Sequence, residues 1–265
     1  MKRNSTLSEF NPAQEVNLST QQTLSLIGLA ALTSVLMATM PLLDVLNFPF
    51  RLLITLVHEL GHGLAATVTG GEFIRFQISA DGSGLAYTAG GWRLVVISAG
   101  YLGVALFGAG LIMLGRGHRS SRIAMAVIGG GMILLSARYG IPTIFSAQFL
   151  NGLLTTLSGF IFGCLFLVVA VKATPSWLVF LLHLVAIQAG LTAFTDLLAV
   201  VGLSTRFFNT PANDARSMAE LTSIPAVVWA VLWVLTAMVL IAGAIWLTWL
   251  VPPKPPLSGD RAVTK

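Results

Sequence analysis

The chain has 265 residues, 55% of them hydrophobic and only 9% charged, with a mean hydropathy of +0.85 and a formal net charge of +5. That balance excludes an ordinary soluble domain and marks an integral membrane protein. The basic excess sits in the two tails and in RGHRSSR at 116–122; with no basic stripe interleaved with aromatics, it suits lipid head groups and excludes a nucleic-acid partner.

Residues 1–20, MKRNSTLSEFNPAQEVNLST, are polar and read as a flexible tail. Seven apolar runs follow, near 22–47, 49–69, 92–115, 121–138, 149–172, 176–202 and 224–251. Each is about the length a helix needs to cross the hydrocarbon core, where only internal hydrogen bonds satisfy the backbone. The first is too long for the core of a cleaved signal peptide, and GGGM together with Arg138 weakens the fourth. Between the second and third runs, EFIRFQISADGSGLAYTAGG alternates in side-chain character and is broken by DGSG, which predicts a β-hairpin over 72–89. The polar stretch STRFFNTPANDARSMAELTS at 204–223 predicts a surface loop with a short capped helix. Residues 252–265 read as a second flexible tail. The expected fold is therefore an all-α polytopic membrane protein of about seven transmembrane helices, one domain over 21–251, with a small β-hairpin after the second helix. Cys164 reads as a buried packing residue, and GFIFG at 159–163 as a small-residue helix contact.

The second run contains VHELGHG at 57–63. A charge at mid-span costs about 2.5–3.5 kcal/mol on insertion scales, so ionisable groups there mark function. On a helix His58 and His62 project from one face, one turn apart, where both imidazoles reach a single ion. Glu59 stands beside the first, free to take a proton from water. This is the arrangement of H-E-x-x-H zinc hydrolases. The other ionisable groups within apolar runs are Asp44, His183 and Asp196. With alternating spans the sixth helix runs parallel to the second, which puts Asp196 at the depth of the histidines. His183 lies about 20 Å below it. Asp44 falls at the opposite end of its run and reads as an interfacial or capping residue.

HELGHG followed by TGGEFIRFQISADGSGLAYTAGG and then ISAGYLG resembles the site-2 protease family of intramembrane zinc metalloproteases, in particular its compact bacterial branch without a PDZ domain, most closely over 51–108. The resemblance implies His58 and His62 as zinc ligands, Glu59 as catalytic base and Asp196 as third ligand from a later helix. It also implies a multi-pass protein of a bacterial cell membrane that hydrolyses a peptide bond in or near a transmembrane segment of a membrane-protein substrate. Family members commonly carry Gly directly after that Asp, whereas Leu197 stands here, and the Asp81-Gly82 pair falls in the hairpin turn. Asp214, in NDARSMAE on the same side of the membrane, is the alternative ligand; its other reading is a helix N-cap. The alternative function is a non-proteolytic metal-binding scaffold or transporter-like protein. Lys and Arg divide almost evenly between the two sides, so charge sets no orientation.

Overall fold

The structure, a computed structural model, describes residues 18–204 and 213–250. The two expected tails fall almost wholly outside the described residues, as do much of the 204–223 loop and the side chain of Asp44. The chain enters helix α1 (Thr20–Thr39) through a capping box, in which Ser19 Oγ accepts the Gln22 N–H at 3.2 Å and Gln22 Oε1 accepts the Ser19 N–H at 2.9 Å. A 3-10 turn (Pro41–Leu46) leads into α2 (Asn47–Val68), followed by strands β1 (Glu72–Ile78) and β2 (Gly84–Ala89). Then come α3 (Arg93–Leu114), α4 (His118–Leu135), a π-helical turn (Ser136–Gly140) and α5 (Ile141–Ile144). The chain continues through α6 (Phe149–Lys172), α7 (Pro175–Ser204), α8 (Asp214–Thr222) and α9 (Ala226–Ile245), which ends in a second π-helical turn.

Among the described residues six helical segments are long and apolar enough to cross a membrane: α1, α3, α4 with α5, α6, α7 and α9 with its π turn. Helix α2 has the length, 22 residues, but Asn47, Arg51, His58, Glu59 and His62 dilute its apolar character. All seven apolar runs are thus helical, and the fold is an all-α polytopic membrane bundle with one antiparallel hairpin. Large apolar side chains such as Leu42, Leu134, Leu150 and Val239 point outward, which water would not favour and hydrocarbon does.

The core joins α2 to its neighbours through Leu53, Leu56, Phe76, Ile78, Met125, Leu178 and Leu182. Small residues set the closest approaches. A Cβ on Gly61 would collide with the carbonyl of Ala99, so the backbones of α2 and α3 touch. One on Gly163 would fall 2.7 Å from the Gly129 oxygen, which places the GFIFG contact between α6 and α4. Cys164, the next residue, is exposed rather than buried: with Gly163 facing α4, its neighbour turns about 100° away to the outer surface.

The hairpin folds back along α2. Its turn is held by Asp81 Oδ1, which accepts Ser83 N–H at 2.9 Å and Ser83 O–H at 2.7 Å, and by Gly82 at φ +84. A bulge between Phe73 and Arg75 shifts the register so that Phe73, Phe76 and Ile78 are all buried. The two edges of this sheet differ. On the outer edge of β1, Thr143 Oγ1 donates to the Phe76 carbonyl and Ile78 N–H donates to Thr155 Oγ1, both at 2.7 Å. Pairing polarity alternates along an antiparallel ladder, so Gly84, Ala86 and Thr88, opposite Ile78, Phe76 and Phe73, turn their backbone groups to the free edge of β2. That edge lines a cavity.

Candidate metal centre

Arg51, Thr55, His58, Glu59 and His62 recur at the spacing that puts them on one face of α2, and all five line a cavity of about 570 Å³. Its other walls come from the hairpin (Asp81–Ala86 and Thr88), from Val96, Ile97, Tyr101 and Val104 of α3, from Ala193 and Asp196 of α7, and from Asn213, Asp214 and Ser217. The volume is in the range of small-molecule and peptide-binding clefts.

Three groups converge there. His58 Nε2 lies 3.0 Å from His62 Nε2 and 3.0 Å from Asp214 Oδ2, and His62 Nε2 lies 3.3 Å from the same oxygen. These are the described residues able to hold a metal ion together. His62 Nδ1 donates to the Val96 carbonyl at 2.7 Å, which fixes the tautomer and aims a bare Nε2 at the centre. As neutral imidazoles the two rings and the carboxylate bring lone pairs face to face, with at most the His58 proton between them. A cation resolves that contact. The donor set suits zinc: bonds of about 2.0–2.1 Å in a tetrahedron give ligand-to-ligand edges of about 3.3 Å, close to the triangle observed. Space is left for it by Gly100 of α3, where a Cβ would stand 2.5 Å from both Nε2 atoms.

Glu59 is buried beside this triangle. Its Oε1 packs directly on Gly84, whose missing side chain makes the room, and its carboxylate accepts the Ala86 N–H from the free edge of β2. Asp196 lines the same cavity on an exposed face of α7, within electrostatic reach of Arg51 and His58. Depth along the helix places it at the cavity, as expected, but the carboxylate brought to the histidines is Asp214. The N-cap of α8 is Asn213, whose Oδ1 accepts the Arg216 N–H at 2.9 Å, so the cap reading of Asp214 gives way. Asp214 sits instead in the first turn of α8, which packs on α9 and on α3, and is delivered to the histidines from above.

Two residues of α3 were not singled out from the sequence: Gly100, and Tyr101, whose ring packs edge-on against His58 with centroids 4.7 Å apart. Both lie in the ISAGYLG string, but nothing in a one-dimensional reading gives them a site role.

The sequence profile of the Peptidase M50B-like family matches residues 26–244. No curated protein and no solved structure matches the chain. The profile covers all the helices but the ends of the first and last, and the chain belongs to the M50B-like peptidases, the site-2 protease family.

Proposed function

We propose that this M50B-like peptidase is an intramembrane zinc endopeptidase, with His58, His62 and Asp214 as metal ligands and Glu59 as general base. The observation that carries the reading is the triangle of Nε2, Nε2 and Oδ2 with a buried glutamate beside it, inside a bundle of membrane-spanning helices. Zinc held there supplies Lewis acidity, polarising a carbonyl and acidifying a water. The chain's own residues do the rest. Glu59 takes the proton of the attacking water as its oxygen bonds to the carbonyl carbon, and returns a proton to the leaving nitrogen when the C–N bond breaks. Its position against Gly84 and Ala86 keeps it at the edge where substrate lies.

The substrate is a membrane protein, cleaved in or beside a transmembrane segment, in the bacterial membrane setting that the resemblance implies. A helix hides its carbonyls in internal hydrogen bonds, so the cleaved stretch has to be extended. The free edge of β2 supports that: Gly84, Thr88 and the carbonyl of Ala86, whose N–H Glu59 takes, offer backbone groups to an added strand. The test is a pair of measurements on purified protein. Metal analysis should find about one zinc per chain, and Glu59→Gln should keep that zinc while abolishing cleavage of a membrane-protein substrate, because an amide accepts no proton. Zinc with no cleavage by the wild-type chain would favour a metal-binding scaffold instead.

A further inference from the structure

Peptide hydrolysis needs more than a base. As water adds, the carbonyl π pair moves onto oxygen, and that oxyanion is stabilised best by donors fixed in place beforehand. The cavity is lined by five hydroxyl residues: Thr55 Oγ1 is engaged, donating to the Gly82 carbonyl at 2.7 Å, Ser83 Oγ donates to Asp81 at 2.7 Å, and neither Thr88 nor Ser217 contacts the histidine rings as Tyr101 does. Arg51 lies two turns of α2 from His58, about 10 Å along the axis. Tyr101 is different. Its ring lies directly against His58, its hydroxyl has no hydrogen-bond partner among the described residues, and it lines the cavity rather than being sealed from it.

The ring is clamped. Tyr101 stacks on Trp233, with centroids 5.5 Å apart and planes 27° from parallel, and crosses His58 at 82°. Trp233 is itself buried and donates Nε1–H to Ser98 Oγ at 3.1 Å. One stretch of α3 thus leaves the space at Gly100 and sets the Tyr101 ring against His58, with α9 as backing.

We propose that Tyr101 is a catalytic residue, its hydroxyl donating a hydrogen bond to the scissile carbonyl oxygen as that oxygen becomes anionic. This rests on the peptidase reading above. The phenol keeps its proton throughout: the new C–O bond forms, the π pair rests on the carbonyl oxygen, and it returns to re-form C=O as the C–N bond breaks. Tyr101 therefore acts on the transition state and hardly on substrate binding.

The experiment compares wild-type protein with Tyr101→Phe in detergent, using casein as substrate and a phosphinic peptide as a tetrahedral anionic mimic. Both ring contacts survive in phenylalanine, so zinc content and thermal melting should be unchanged. The expected result is kcat lower by about 100-fold, the scale of losing one oxyanion donor, with KM within about twofold and phosphinic-peptide affinity reduced in parallel with kcat. Unchanged kcat, a loss confined to KM, or loss of zinc would each overturn the assignment. A wild-type protein that carries zinc but neither cleaves casein nor binds the phosphinic peptide would overturn the peptidase reading, and this inference with it.

Discussion

His62 and His183 are both buried in long helices of the bundle, and the Nδ1 of each lies within 2.8 Å of a backbone carbonyl, that of Val96 for one and Val179 for the other. Both rings are therefore fixed as the same tautomer, with Nε2 bare. Around His62 that nitrogen meets His58 and Asp214. Around His183 it meets nothing: Nε2 is buried without a partner among the described residues, between Gly115 and the Trp249 ring. A buried imidazole with a satisfied Nδ1 is a common outcome of packing. What distinguishes a centre is the convergence of further donors on the second nitrogen.

The comparison is sharpened most by removing the converging groups. His62→Ala or Asp214→Ala should lower zinc affinity by well over the 10- to 100-fold typical of residues that only orient a ligand, and activity should vanish with the metal. Asp196→Ala should keep its zinc. Metal analysis of the three variants decides; zinc retained in Asp214→Ala and lost in Asp196→Ala would move the third ligand to α7. Next in size is Gly100→Ala, which adds one methyl group 2.5 Å from both Nε2 atoms. Occupancy should fall about 10-fold or more, since the methyl competes for the ligand space, while Gly110→Ala on the same helix, with nothing within 4 Å, leaves it unchanged. The smallest effect is expected at the other histidine. His183→Phe should keep full zinc and activity, with stability shifted by no more than about 1–2 kcal/mol, because the polar atom it removes is one left unpaired. Loss of zinc in that variant would break the comparison.

The parts legible in the sequence are those set by local geometry. His58, Glu59 and His62 fall within five residues, and helical spacing alone puts the histidines on one face. The alternation around DGSG gave the hairpin, because strand pairing there is decided by a turn only a few residues long. The bulge at 73–75 left no signal, since nothing in FIRF says which residue is extra. The carboxylate facing the histidines was harder for a different reason. Asp196 could be placed by counting along a straight span, and the count led to the right cavity. Asp214 depends on how 213–222 packs against α3 and α9, and its polar surroundings in sequence look like solvent. Gly100 and Tyr101 matter through what they face on α2, which no spacing within α3 reveals. Cys164 was misread because a helix flanked by lipid turns apolar residues outward as readily as inward.

The contact between His58 and Asp214 joins residues 156 apart in the chain. An ion bound at that point, as proposed, would be a clip across a very long loop, and closing such a loop removes more chain entropy the longer it is, about (3/2)RT ln n. Helix α8 has only 9 residues and a modest apolar face, too short to hold its place by helix formation alone. Chelation should therefore release α8 before any membrane helix, and amide exchange at 214–222 should rise first while that of α3 and α6 stays protected.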